Sequence, residues 1–182
     1  MTTATSQQTQ TAGFETIDPA GLAALGEKGR ADNTAVRTAK CRTVAEGSKF
    51  RHLNYVRDLP PHIVDEPHGL LGDDTAPNPT EALLAALGTC VSVGLQANAV
   101  ARGWTVKGIA VDLEGDINIT GVWGTGDLAP KDPGLSTIRI KVELDVDGAT
   151  DAEVQEVIDH VAKWSPVLNT LQSATPIAIE KA

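Results

Sequence analysis

The chain has 182 residues, with 15 Lys plus Arg against 24 Asp plus Glu and a formal net charge of −9. The length suits one domain with room for a proper core, and the charge argues against nucleic acid or an anionic membrane surface as partner, since both need a basic footprint. Two cysteines build no disulfide framework and need no oxidising compartment, and no basic-then-apolar signal segment opens the chain, so the expected setting is cytoplasmic.

Residues 1–13 are rich in Thr, Gln and Ser with no apolar period. They read as a disordered tail, which leaves 14–182 as a single domain. Asp18-Pro19 ahead of Leu22, Ala24 and Leu25 predicts one short capped helix. Thr34 to Ala45 is β-compatible, Glu46-Gly47-Ser48 signals a turn, and Phe50 to Val56 resumes as a second strand, so the pair reads as a hairpin. A two-residue period would put Arg37, Ala39 and Cys41 on one face. Leu59-Pro60-Pro61 then breaks the pattern, His62-Ile63-Val64 reads as a short edge strand, and 65–78 is a loop dense in acids and breakers.

The stretch from Asn78 to Gly103 is the organising element. Asn78 suits an N-cap, Pro79 the first helical position, and Glu81 the third, where its carboxylate can reach back to a free backbone donor. Gly103 suits the C′ position, with Arg102 beside the negative end of the dipole. About 24 residues between these caps give roughly 36 Å of helix. Apolar or small residues on nearly every face, Leu83, Leu84, Ala86, Leu87, Val91, Val93, Leu95 and Val100 among them, predict a buried helix. Glu81, Gln96, Asn98 and Arg102 cut its apolar run below the roughly 20 residues of a membrane span.

Thr105 to Thr120 reads as strand, with a bulge at Gly115-Asp116. A Gly/Pro/Asp loop over 121–134 carries Trp123. Ser136 to Asp147 alternates cleanly, Ile138, Ile140, Val142, Leu144 and Val146 against Arg139, Lys141, Glu143 and Asp145, as in a sheet with one buried and one wet face. Thr150 and Glu153 form a second capping box before a helix striped by Val154, Val157, Ile158 and Val161 and ending near Trp164. Ser165-Pro166 starts a further short helix, and Thr175 to Ile179 closes as a strand. Strands, one buried helix, more strands, then helices make the class α+β, with antiparallel sheets packed on a long central helix.

Cys90, near the middle of the central helix, has two readings. It is a small core hydrophobe, or it is a nucleophile, which requires the thiolate. The dipole of its own helix fades within the first turn, so a positive partner must come from elsewhere. Arg37, Arg42, Arg51 and Arg57 are the candidate cations, and Ser165-Pro166 is a candidate second helix start. Gly88, Thr89, Ser92 and Gly94 around the cysteine are small enough for another element to approach closely. Bridging Cys90 to Cys41 would need Cα atoms within about 7 Å. His62, Asp65, Glu66 and His68 match no standard ligand spacing, so no metal is expected.

The segment VDEPHGLLGDDTAPNPTEALLAALGTC resembles the signature of the OsmC/Ohr family, the osmotically inducible protein C and organic hydroperoxide resistance proteins. An acidic Gly/Pro loop is followed by Asn-Pro, a carboxylate, an Ala/Leu-rich helix and a cysteine eleven residues after the proline. The likeness runs on through Gly103 to WSPVLNTL at 164–171 and covers roughly residues 34–179. It implies an interlocked homodimer with active sites at the subunit interface and no cofactor. It also implies a reactive cysteine that attacks a peroxide O–O bond, a second cysteine that resolves the sulfenic acid, and a thiol reductant.

Cys90 falls on the first cysteine of that pattern. Ser165-Pro166 stands where the family usually has Cys-Pro, and serine cannot condense with a sulfenic acid to a disulfide. Thr80 stands where the peroxidase branches usually carry glutamate, with Glu81 one residue later. Arg57 best resembles the family's arginine. The expected site is therefore Cys90 as attacking thiolate, Arg57 stabilising it and Glu81 orienting the arginine. Thr89 and Ser165 would line the pocket, and a small external thiol would replace the missing second cysteine. The alternative is a non-catalytic small-ligand-binding protein on the same scaffold, with Cys90 as a pocket wall, which the serine at 165 favours. Acyl chemistry ranks last, because no histidine is placed as a base.

Overall fold

A computed structural model describes residues 14–127, 129 and 133–181, so the expected tail at 1–13 lies outside the described residues. The first element, α1 (Pro19–Ala31), is longer than the short helix expected. The Asp18 carboxylate caps it, accepting from the amides of Ala20 at 3.1 Å and Gly21 at 2.8 Å. None of its residues is buried.

The hairpin forms, but its first arm is much shorter than the sequence suggests. β1 (Arg42–Ala45) pairs antiparallel with β2 (His52–Tyr55), from Arg42 opposite Tyr55 to Ala45 opposite His52. After Tyr55 the chain turns away, with Arg57 at φ +53°, and residues 34–41 pair with no strand among the described residues. Arg37, Ala39 and Cys41 therefore lie outside any strand and are exposed. β3 (His62–Val64) pairs on the other side of β2, as an edge.

The loop after β3 is anchored rather than merely solvated. Asp65 is fully buried. Its carboxylate accepts from the Thr75 hydroxyl at 2.7 Å, the Thr75 amide at 3.2 Å and the Glu66 amide at 2.9 Å. Thr75 in turn accepts from Arg51 Nη1 at 2.6 Å, and Arg51 also pairs with Glu46. Gly72 seals the wrap, since a Cβ there would fall 1.7 Å from the Glu66 carbonyl oxygen.

α2 (Pro79–Ala101) carries the expected capping box. Asn78 Oδ1 accepts from the Glu81 amide at 2.9 Å, and Glu81 Oε2 accepts from the Asn78 amide at 2.8 Å. Gly103 takes φ +75° at the far end. By length and composition alone α2 would also suffice to cross a membrane, yet one side of it supplies the core: Leu87, Val91 and Leu95 pack with Val157 and Val161. The expectation of burial on every face fails within one chain. Leu83, Ala86, Thr89 and Val93 remain exposed, with Val93 at 59 %.

β4 (Thr105–Ile117) and β5 (Leu135–Asp147) form a two-stranded antiparallel sheet over that core. Val106 lies opposite Val146 but Gly108 lies opposite Asp145, so Lys107 is one extra residue. This bulge explains why Val106 shares a face with Ile109, Val111 and Leu113 despite its even number. A second irregularity sits between Asp116 and Ile117, next to the predicted bulge. α3 (Asp151–Trp164) starts at the Thr150–Glu153 capping box, and α4 (Pro166–Gln172) follows after Ser165. The expected closing strand at 175–179 does not form. Ile177 and Ile179 are exposed and the segment pairs with no strand among the described residues.

Candidate functional site

Cys90 lies on α2 where the buried face meets the exposed strip, and its thiol is free and half-buried. Gly94, one turn further on, is what lets α3 close in. A Cβ there would meet Val161 Cγ1 at 2.9 Å, and one at Gly88 would meet Leu113 Cδ1 at 2.6 Å. The close approach expected of the small residues is thus real at Gly88 and Gly94. Thr89 faces outward.

This packing delivers the α3–α4 junction to the cysteine. Ser165 is only 4 % exposed, and its hydroxyl donates to Cys90 Sγ at 3.2 Å. The same Oγ accepts from the Leu168 amide at 3.4 Å, which makes Ser165 the cap of α4. Its own amide donates to the Val161 carbonyl at 2.8 Å, and its carbonyl accepts from Asn169 Nδ2 at 2.8 Å. Amide, carbonyl and hydroxyl are thus all engaged, and the hydroxyl spends its one proton on the sulfur. Two residues 75 apart in sequence therefore meet at hydrogen-bond distance.

The charged partners do not join them within one chain. Glu81 stands nine residues before Cys90 on the same helix, about 13 Å along the axis. Its carboxylate is committed to the Asn78 amide. Arg57 sits exposed in the turn after β2. Arg51 is held by Glu46 and Thr75, and Arg37 and Arg42 are exposed. Among the described residues no guanidinium hydrogen-bonds the Cys90 sulfur. His62, Asp65, Glu66 and His68 do not converge, and among the described residues no group of three or more such side chains is placed to hold a metal ion.

A cavity of about 500 Å³ opens elsewhere, between the start of α2, the end of β4 and the turn at 118–124. Leu70, Leu84, Ile117 and Trp123 are among its walls, and Glu66 and Glu81 are its acidic members. Cys90, Ser165, Thr89 and Arg57 do not line it. Glu66 is 8 % exposed, and its Oε2 is buried with no hydrogen-bond partner among the described residues. Burial, then the nearby carboxylates of Glu81 and Asp65, push its pKa upward. Asp65 is shifted downward, first by the Thr75 hydroxyl and also by the amides of Thr75 and Glu66.

Sequence reasoning passed over both acids as part of a solvated loop. The available signal was apolar residues directly before them, Ile63-Val64, and Pro67 directly after.

A family model described as OsmC-like protein matches residues 72–180. Among solved structures, an OsmC-like protein from Mycoplasma pneumoniae aligns with TM-score 0.62 and 22 % identity over 77 % of this chain and 91 % of its own. An OsmC-like protein of unknown function from Vibrio cholerae gives 0.62 and 11 % over 74 % and 94 %. An organic hydroperoxide resistance protein from Legionella pneumophila gives 0.54 and 14 % over 76 % and 92 %. No curated protein sequence matches the chain.

Proposed function

The chain belongs to the OsmC-like protein family, and from that premise we propose that it serves in peroxide defence by reducing organic hydroperoxides at Cys90. The observation that carries this reading is the Ser165 hydroxyl 3.2 Å from a half-buried sulfur. A sulfur kept partly open to solvent and met by a fixed donor is arranged for chemistry. A cysteine serving as a core hydrophobe would be wrapped in hydrocarbon. The Legionella neighbour, an organic hydroperoxide resistance protein by name, supports the choice of substrate class.

In the proposed cycle the Cys90 thiolate attacks one oxygen of the hydroperoxide. A sulfur–oxygen bond forms, the O–O bond breaks, and the leaving alkoxide takes a proton to become the alcohol. Cys90 is left as the sulfenic acid. Ser165 steadies the thiolate by donating to it, but it cannot supply the second sulfur. An external thiol therefore condenses with the sulfenic acid, releasing water and forming a mixed disulfide. A second equivalent of thiol restores Cys90 and leaves as the external disulfide.

The positive group needed beside the thiolate is assigned to Arg57, oriented by Glu81, across the interface of a homodimer. Reach favours this assignment: Glu81 is about 13 Å along the helix from the Cys90 of its own chain, too far for its carboxylate to meet that sulfur. The exposed apolar strip Leu83, Ala86 and Val93 beside Cys90 is the surface such a copy would cover. A cytoplasmic setting fits two free thiols in need of a reducing thiol pool.

The test is steady-state turnover of cumene hydroperoxide with a monothiol as the only reductant. The wild type is expected to turn over, Cys90→Ser to be inactive, and Arg57→Ala and Glu81→Gln each to fall by about tenfold or more. Full turnover by Cys90→Ser would refute the reading.

A further inference from the structure

We propose that the cavity at the start of α2 binds a small organic cation, a primary ammonium on an apolar body, with the carboxyl group of Glu66 as its counter-charge. Cys90 is not among the cavity's walls; Glu81 is a wall shared with the peroxide reading, so the site rests on the cavity and on Glu66 alone.

The cavity has an apolar body and one acidic end. Leu70, Leu84, Ile117 and Trp123 supply hydrocarbon and an aromatic face, while among the described residues Glu66 and Glu81 are the only titratable side chains in its walls. Among the described residues the buried Oε2 of Glu66 has no hydrogen-bond partner, and leaving such an acceptor unmet is costly. Each class of occupant can be weighed against that atom. A neutral apolar molecule would fill the space and leave the oxygen orphaned. A carboxylate or phosphate would meet two acidic groups, and the helix start offers it little beyond the Thr80 amide, because the Asn78 and Glu81 amides are already engaged in the capping box. An ammonium brings three donors and the one charge that relieves the acids. Its hydrocarbon would lie against the walls, with the Trp123 ring available to the cation's face.

The groups facing Glu66 set the pH behaviour. Asp65 is its chain neighbour and Glu81 comes from α2; both are acidic. The wall residues of β4 and of the turn at 118–124 bring no titratable group. With no cation nearby, burial and these two acids hold Glu66 protonated above the usual carboxylate range. Ammonium affinity should therefore rise with pH as Glu66 ionises.

Calorimetric titration with hexylamine, hexanol and hexanoate, at acid and at mildly alkaline pH, tests the site on the full chain. Hexylamine is expected to bind about tenfold tighter than hexanol, hexanoate not measurably, and the amine's affinity to increase with pH. Glu66→Gln should weaken hexylamine by about tenfold and flatten its pH dependence. Should that variant not fold, Ile119→Trp, at an exposed wall position, should close the cavity and abolish hexylamine binding. Equal affinity for hexanol, no binding of hexylamine, or undiminished binding by either folded variant would overturn the proposal.

Discussion

At the scale of single residues, Ser165 and Cys90 form a contact that one atom's change converts into a different chemistry. Ser165→Cys would put a second sulfur where the hydroxyl oxygen now sits, 3.2 Å from Cys90 Sγ. A shift of about 1 Å then reaches disulfide distance. Hydroperoxide treatment of this variant should consume both thiols and yield an intramolecular disulfide, read by thiol titration and non-reducing peptide mapping. Ser165→Ala removes both the helix cap and the donor to sulfur. It should lose about 1 kcal/mol of stability and about tenfold in the rate of Cys90 oxidation.

The adjacent acids should respond to pH in opposite senses. Asp65 has a depressed pKa in the fold, so its contribution is present above the unfolded value near 3.9 and is lost as pH falls through the folded one. Glu66 has a raised pKa, so its contribution is full below the unfolded value near 4.3 and is lost as pH rises through the folded one. Thermal melts across the acid range should show Asp65→Asn flattening the acid-side loss and Glu66→Gln gaining on the wild type as pH rises. The sequence singles out Cys90 and Ser165, and the fold brings the two side chains within 3.2 Å. The burial of Asp65 and Glu66 was not legible in the sequence, because it depends on Thr75 and Gly72 folding back over them.

At the scale of elements, the helix starts announced themselves and so did the short edge strand His62–Val64, but the extent of the first and last expected strands did not. Asn78/Glu81 and Thr150/Glu153 write the starts of α2 and α3 in four residues each, since a cap is a local arrangement. A strand's extent depends on its partner's. Residues 34–41 carry a β-compatible pattern, yet β2 is only four residues long and leaves them unpaired. Ile177 and Ile179 alternate like a strand and pair with no strand among the described residues. The Lys107 bulge, equally non-local, was missed because a pleat read from one strand cannot count residues in the other.

The packing of α2 makes a graded prediction. Alanine at Gly88 meets only the tip of Leu113, a flexible side chain, whereas alanine at Gly94 meets both methyls of Val161, at 2.9 and 3.3 Å. Helix propensity favours either change by about 1 kcal/mol, while forced overpacking costs about 1–3 kcal/mol. Urea denaturation should find Gly88→Ala near neutral and Gly94→Ala clearly destabilised, with less of Ser165 held against Cys90 as a result.

At the scale of the whole molecule, α2 is the part that one chain leaves unfinished. Its sequence reads as apolar all round, and half of that reading is met by the core of Leu87, Val91 and Leu95. The other half, Leu83, Ala86 and Val93, stays exposed along the line that contains Cys90. The central helix and the sheets beside it were therefore legible, while the positions of Arg57 and Glu81 relative to the sulfur were not, because a single helix cannot bring residues nine apart together. The account expects a dimer in solution, and Val93→Glu should halve the mass seen by light scattering, since it would bury a charge without a partner. It should also lower peroxide turnover without unfolding the chain.

The most direct test is the fate of the Cys90 sulfur itself when the reduced protein meets one equivalent of cumene hydroperoxide without any other thiol, followed by peptide mass spectrometry after trapping with dimedone. The account predicts a sulfenic-acid adduct on Cys90, formed faster than at the exposed Cys41 and more slowly in Ser165→Ala. Modification of Cys41 alone, with Cys90 still a free thiol, would contradict it.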